Sequence, residues 1–154
     1  MKGLEIRPFE IEDTDGVLAV WTSVGMMREG RNQRDDIQKK LRHSPDSFFI
    51  GVCEGVVAAA VIAGYDGHRG WIYRLAVRPE FQRRGIGSAM AEHAESWLRQ
   101  QGCPKMKLQI EPQRADIVEF YRKLGFETQE LINMSKRFRT AVDQAAADER
   151  ADRS

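Results

Sequence analysis

Leu75-Ala76-Val77-Arg78-Pro79-Glu80-Phe81-Gln82-Arg83-Arg84-Gly85-Ile86-Gly87-Ser88-Ala89-Met90 is the stretch on which the fold turns. An apolar run that stops at an Arg-Pro pair reads as a buried strand, because proline cannot continue the hydrogen-bond ladder. Beyond it, Ile86, Met90, Ala94, Trp97 and Leu98 keep the spacing of a helix over 86–101, with Gly102 at the C-terminal cap. The short join between strand and helix holds two arginines and two glycines. Glycines let a backbone approach a ligand closely, the first-turn N–H groups have no partner inside the helix, and the helix dipole favours negative charge. Those are the requirements of a pyrophosphate cradle, to which Arg83 and Arg84 can add charge-assisted contacts. A glycine pair at a helix start also suits a tight structural turn, so the surrounding elements must decide.

Upstream, the strand Trp71 to Val77 follows a loop at Asp66 to Gly70, and the apolar runs Ser47 to Cys53 and Val56 to Tyr65 flank Glu54-Gly55 as a hairpin. Leu4 and Ile6 alternate with Glu5 and Arg7, which predicts a first strand over 3–8. Val17, Leu18, Trp21 and Val24 predict an amphipathic helix that Gly25 can end, and Ile37 and Leu41 a shorter one over 35–42. Downstream, Lys105 to Ile110 is expected as a strand, Ala115 to Leu124 as a helix with Ile117, Phe120, Tyr121 and Leu124 inward, and Phe126 to Arg137 as one or two strands. The order β-α-α-β-β-β-α-β-α-β is that of an α+β sandwich, a mixed sheet with helices on both faces.

With 154 residues there is room for one domain of ordinary size. A 42% hydrophobic share can bury a core, while 31% charged residues and a mean hydropathy of -0.52 argue against a membrane protein. Lys and Arg number 24 against 23 Asp and Glu, so no bulk field exists to hold a nucleic acid or an anionic membrane. Any polyanion must be small or locally held. Two cysteines, Cys53 and Cys103, are too few for a disulfide framework or a cysteine-based zinc site, so no metal is expected and a reducing compartment is the default. The first ten residues lack the apolar core of a signal peptide, so the protein is expected to stay in the cytoplasm. Residues 139–154 form a polar tail, expected as a frayed helix or disordered.

Gln82-Arg83-Arg84-Gly85-Ile86-Gly87, after a Leu-Ala-Val strand end, resembles the Gln/Arg-x-x-Gly-x-Gly/Ala signature of the GNAT superfamily of acyl-CoA-dependent N-acyltransferases. A second landmark of that family, Tyr-x-x-Leu-Gly-Phe, matches Tyr121-Arg122-Lys123-Leu124-Gly125-Phe126. The resemblance covers residues 4–138, and the segments 64–70 and 102–105 look like the small bacterial YpeA-type subgroup. It implies one acetyltransferase domain over 1–138. Its fold would be a mixed, mostly antiparallel sheet of six or seven strands, splayed between strands 4 and 5, with about four helices on both faces. It further implies N-acetylation of a primary amine, of a small molecule or of a protein or peptide, with acetyl-CoA as cosubstrate. Pantetheine would pair with the backbone of Leu75, Ala76 and Val77, and the pyrophosphate would sit on Gln82, Arg83, Arg84, Gly85, Ile86, Gly87 and Ser88.

Tyr121 then fits the general acid for the departing thiolate, although its spacing equally suits a core aromatic. Positions where many relatives carry a catalytic glutamate hold no carboxylate, so the base must come from elsewhere. Glu111 is the first choice, with Asp66 or His68 as others, and each also suits an ordinary solvated position. Arg114 stands where relatives commonly have Asn, and can reach a CoA phosphate instead. Met26 to Asn32, Tyr73 and the loop 65–69 are expected to select the acceptor. The competing function is an acyl-CoA-binding sensor with little turnover. The expected partners are acetyl-CoA and an amine, not nucleic acid or membrane, and the chain would be a monomer or a homodimer.

Overall fold

The computed structural model describes residues 3–153, which divide into two units, 3–120 and 121–153. In the first, strands β1 (Leu4–Pro8), β2 (Phe48–Cys53), β3 (Val56–Tyr65), β4 (Gly70–Val77) and β5 (Met106–Lys107) form one sheet in sequence order. Neighbours are antiparallel from β1 to β4, and β4 pairs with β5 in parallel. Helices α1 (Thr14–Ser23) and α2 (Gln33–His43) separate β1 from β2, and α3 (Ile86–Gln100) separates β4 from β5. Helix α4 (Val118–Lys123) follows a 3-10 segment at Pro112–Ile117.

The sheet is covered twice, and β2 shows how one strand serves both sides. Ile50 joins Val17, Val20, Trp21 and Ile37 of α1 and α2 in one buried cluster with Phe9, Phe48, Ala60, Ile62 and Ala76. Its neighbours Phe49 and Gly51 face the other way by strand alternation. Phe49 meets His93 edge-on at 4.6 Å, and a Cβ on Gly51 would lie 3.0 Å from the Met90 sulfur of α3. A strand buried on both faces reads as an unbroken apolar run, which is why residues 58–63 are uniformly Ala, Val and Ile. On the α1 side, the Phe9 and Trp21 rings lie near-parallel to Phe48, with centroids 4.4 and 6.1 Å away.

The strand count is five, not six or seven. The strand expected over 105–110 shrinks to two residues, because only Gly70 and Trp71 of β4 have partners on β5, Met106 and Lys107. Past that point β4 and the chain after Lys107 are no longer paired, which is the expected splay between strands 4 and 5. In the second unit no strand occurs over 126–137 among the described residues. There Leu131 and Ile132 are adjacent, which puts apolar groups on both faces of an extended chain, and Asn133, Ser135, Lys136 and Arg137 interrupt any apolar stripe. Leu131, Ile132, Met134 and Phe138 are exposed. The tail folds as α5 (Ala141–Asp152), opened by a reciprocal Thr140–Asp143 capping box and burying none of its residues.

Candidate active site

β4 carries the first element of the site. Its register against β3 runs Ile62↔Tyr73 and then Ala60↔Ala76, so Arg74 and Leu75 together oppose Val61. That is a β-bulge, and Arg74 takes a left-handed φ of 52° within it. A bulge bends its strand, and here it precedes Leu75, Ala76 and Val77, the residues expected to face pantetheine. The β4–β5 ladder ends at Trp71, so these three residues lie beyond it, and the Val77 carbonyl accepts from the Gln82 side chain.

The turn into α3 is the second element. Pro79–Phe81 makes one 3-10 turn, Phe81 and Ile86 bury at its two ends, and the backbone between them passes through left-handed φ at Arg83 (63°) and Gly85 (81°). Gln82 donates its amide Nε2–H to the Val77 carbonyl at 2.9 Å, which ties the turn to the strand end. Gly85 is the N-cap of α3, with no side-chain cap and no acidic residue in the first turn. The first helical hydrogen bond inside the helix is from the N–H of Ala89 to the Gly85 carbonyl, so the N–H groups of Ile86, Gly87 and Ser88 precede the ladder. A Cβ on Gly87 would lie 3.3 Å from Phe120 Cζ and 3.7 Å from Val77 Cγ2. The glycine is therefore fitted to its neighbours as well as leaving the cradle open, and the residues present suit a pyrophosphate.

The flanking arginines differ. Arg83 is exposed on the strained backbone. Arg84 donates to the Glu80 carbonyl at 3.2 Å and to Glu54 Oε1 at 3.3 Å, with its guanidinium carbon 5.2 Å from the centre of the Phe81 ring. The Glu54 pair is exposed on both sides and so is weak.

Glu111 and Arg114 lie beside each other at the entry to the 3-10 segment before α4. Glu111 accepts from Arg28 at 3.4 Å and from Gln113 Nε2, and it is 60% exposed. Arg114 faces Asp116 at 3.3 Å. Asp66 accepts two backbone N–H groups, from Arg69 at 2.7 Å and His68 at 2.8 Å, and these hold its carboxyl below the usual range. A carboxylate so stabilised is a poor proton acceptor, while His68 is an exposed loop residue. The Tyr73 hydroxyl lies over Gly64, and loss of solvent pushes its pKa up. In the second unit, Tyr121 is half-buried and packs edge-on against Phe126 at 5.5 Å, and its carbonyl accepts from the N–H of Leu124 and Phe126.

One group went unnoticed in the sequence. Arg74 reaches from the bulge to the α1–α2 side, donating to Gln33 Oε1 at 2.9 Å and the Met26 carbonyl at 2.7 Å, with its guanidinium 4.0 Å from the centre of the Trp21 ring. The available signal was an arginine inside an otherwise apolar strand, Trp71 to Val77.

A strand whose end lies outside the β4–β5 ladder thus runs through a cap-free glycine turn into a helix. Residues 16–126 match the model of the acetyltransferase (GNAT) family, and the chain belongs to that family. An acetyltransferase of Yersinia enterocolitica is 36% identical over 92% of this chain and 99% of its own length. Among solved structures, Ard1 from Thermoplasma volcanium superposes with a TM-score of 0.71 at 23% identity, over 83% of this chain and 85% of that one. Aminoglycoside N-acetyltransferase AAC(6')-Iy in complex with CoA also superposes with a TM-score of 0.71, at 18% identity over 87% and 94%. At such identities the superpositions speak for the fold. No helix among the described residues is long and apolar enough to cross a membrane.

Proposed function

We propose that this chain moves the acetyl group of acetyl-CoA directly to a primary amine, using residues 1–138 as its acetyltransferase domain. The observation that carries the proposal is the combination of a β4 end, Leu75 to Val77, that lies beyond the β4–β5 ladder with the uncapped N-terminus of α3 a few residues later. Pantetheine amides pair with the backbone of Leu75, Ala76 and Val77. The pyrophosphate lies on the N–H groups from Arg83 to Ser88, and Arg84 exchanges its weak exposed pair with Glu54 for a phosphate. Arg114 is poised at the surface to do the same.

The amine nitrogen attacks the thioester carbonyl and forms the new C–N bond. Backbone N–H groups near Leu75 or Ala76 stabilise the oxyanion, and its collapse breaks the C–S bond. The amine loses one proton in the process and the thiolate gains one, from Tyr121 as general acid. Glu111, exposed and held by Arg28, accepts the amine proton directly or through water.

The second reading, an acyl-CoA sensor, draws support from one observation: two backbone N–H groups hold the Asp66 carboxyl below the usual range, which makes it a poor proton acceptor. Titrating acetyl-CoA against the protein with and without an amine panel, and reading free thiol beside acetylated product by mass, separates the two. Amine-dependent thiol release supports transfer. Tight CoA binding without release from any amine supports the sensor.

A further inference from the structure

On the α1–α2 side of β4, two side chains in contact with Arg74, and Arg74 itself, each carry a buried N–H donor with no partner among the described residues. Gln33 is 3% exposed, and its Oε1 is fixed toward Arg74 because a guanidinium can only donate. That orientation leaves the Gln33 Nε2 amide group with no hydrogen-bond partner among the described residues, and the buried Nε of Arg74 and Nε1 of Trp21 are in the same state. Trp21 is 1% exposed and lies directly under the Arg74 guanidinium. Buried polar groups are nearly always bonded, so a set of three orphan donors on touching side chains marks a place made for an acceptor. An orphan set composed only of donors, one of them cationic, selects a negatively charged oxygen group.

The charges around it narrow the choice. Arg28 and Arg31 both lie close enough to Arg74 to push its pKa down, alongside the larger effect of burial, whereas Asp36 pushes it up. Arg28 is paired with Glu111, and Arg31 with Asp36 at 2.6 Å. Both hydrogen bonds of Arg74 go to neutral oxygens. One arginine is thus left over in the group, which balances a monoanion such as a carboxylate and leaves a dianionic phosphate half-neutralised. The connection that follows the Met26 carbonyl bonded to Arg74, Met27 to Asn32, is exposed throughout. Arg74 itself immediately precedes Leu75 on the bulged strand, which places the donors beside the expected thioester end of the cofactor.

We propose that Trp21 Nε1, Gln33 Nε2 and Arg74 Nε form a carboxylate subsite for the acceptor, so that the amine acetylated here belongs to a molecule that also carries a carboxylate. The proposal rests on the acetyl-transfer reading only for the word acceptor; the subsite can be tested as a binding site on its own.

The probes are N-acetylglycine, N-acetylalanine and N-acetylphenylalanine, each beside its uncharged amide, titrated calorimetrically into the full chain with and without saturating CoA. The expected result is that at least one acid binds tenfold or more tightly than its amide, a difference of about 1.4 kcal/mol. Gln33→Glu keeps the oxygen that accepts from Arg74 and exchanges the orphan N–H donors for a second acceptor. It should erase the preference while the affinity for CoA stays within twofold. Gln33→Leu, which removes the donors without adding charge, serves if the glutamate variant fails to fold. Equal binding of acids and amides, no binding of either, or a preference that survives both variants overturns the subsite and leaves the orphan donors to buried water. Failure of CoA itself to bind overturns the acetyl-transfer reading instead, and the titrations without CoA still decide the subsite.

Discussion

The side chain of Gln82 donates to the main-chain carbonyl of Val77 at 2.9 Å, closing the cradle turn on the strand that leads into it. The first residue of the Gln-x-x-Gly-x-Gly signature therefore acts on the protein's own backbone, and its effect on a ligand is through the positions of Arg83 to Ser88. Gln82 is exposed, so the bond adds little to global stability. Replacing it by Ala should leave Tm within about 2 °C and weaken CoA by roughly threefold to tenfold, the worth of one neutral hydrogen bond of about 0.5–1.5 kcal/mol. Calorimetric titration of CoA beside a melt checks both, and an unchanged Kd would leave the tether without a role in binding.

At Gly87 a side chain has neither room nor a favourable field. A Cβ there lies 3.3 Å from Phe120, and Glu would set a carboxylate where the proposed function puts the phosphates. Gly87→Glu should bring CoA binding below detection, while a far-ultraviolet spectrum like that of the parent shows that the fold persists. Normal affinity in the folded variant would move the phosphates elsewhere.

Gly70 occupies a tighter place, at the one point where β4 and β5 join. A Cβ would stand 2.5 Å from Cys103 Sγ, 3.0 Å from the Lys105 carbonyl oxygen and 3.1 Å from Leu98. The Gly70 N–H also bonds that carbonyl at 3.1 Å, so the backbone cannot retreat without losing a bond. Gly70→Ala is expected to cost about 1–3 kcal/mol by overpacking, read as a lower midpoint in urea with an unchanged slope.

Tyr121→Phe separates a chemical role from a packing one. Its ring contact with Phe126 survives the change, so CoA affinity and Tm should hold. With the proton donor gone, kcat should fall by about 100-fold to 10,000-fold on a good acceptor while the KM for acetyl-CoA moves far less. A variant within roughly threefold of the parent kcat would place the general acid on another group.

Acid stability should depend on Asp13. Arg7 grips its carboxylate with two bonds, at 2.8 and 2.9 Å, and the Glu10 N–H adds a third at 2.8 Å. The hydrogen bond from Arg7 is the largest cause of its lowered pKa. Because the folded value lies below that of the unfolded chain, about 3.9, the stabilisation is fully present above it and is lost as the pH falls through the folded value. Asp13→Asn should therefore destabilise the protein by about 1–3 kcal/mol at pH 7, and the gap to the parent should close at a pH below both values. Parallel urea melts from pH 7 to pH 2 measure it, and a gap independent of pH would assign the effect to packing.

Some of this protein was present in the chain's local chemistry. The strand Val56 to Tyr65 has its observed bounds in the apolar run itself, and the start of α3 at Ile86 follows from a glycine turn and helical spacing. These succeed because side-chain period and turn residues act within a few positions of one another. The glycine turn that the proposal assigns to the phosphates is equally local, since all its parts lie between Val77 and Ser88. What only the tertiary structure decided involves residues far apart in sequence. The length of β5 depends on how far β4 stays beside it, and that pairing ends at Trp71 and Lys107 although the sequence continues in strand style to Ile110. That Glu111 lies against Arg28, 83 residues earlier, is likewise set only by the fold. The bulge at Arg74 and its bonds to Met26 and Gln33, 48 and 41 residues away, leave no periodic trace. A hydrogen bond needs its partner within about 3 Å, and only the folded chain sets which partners come that close.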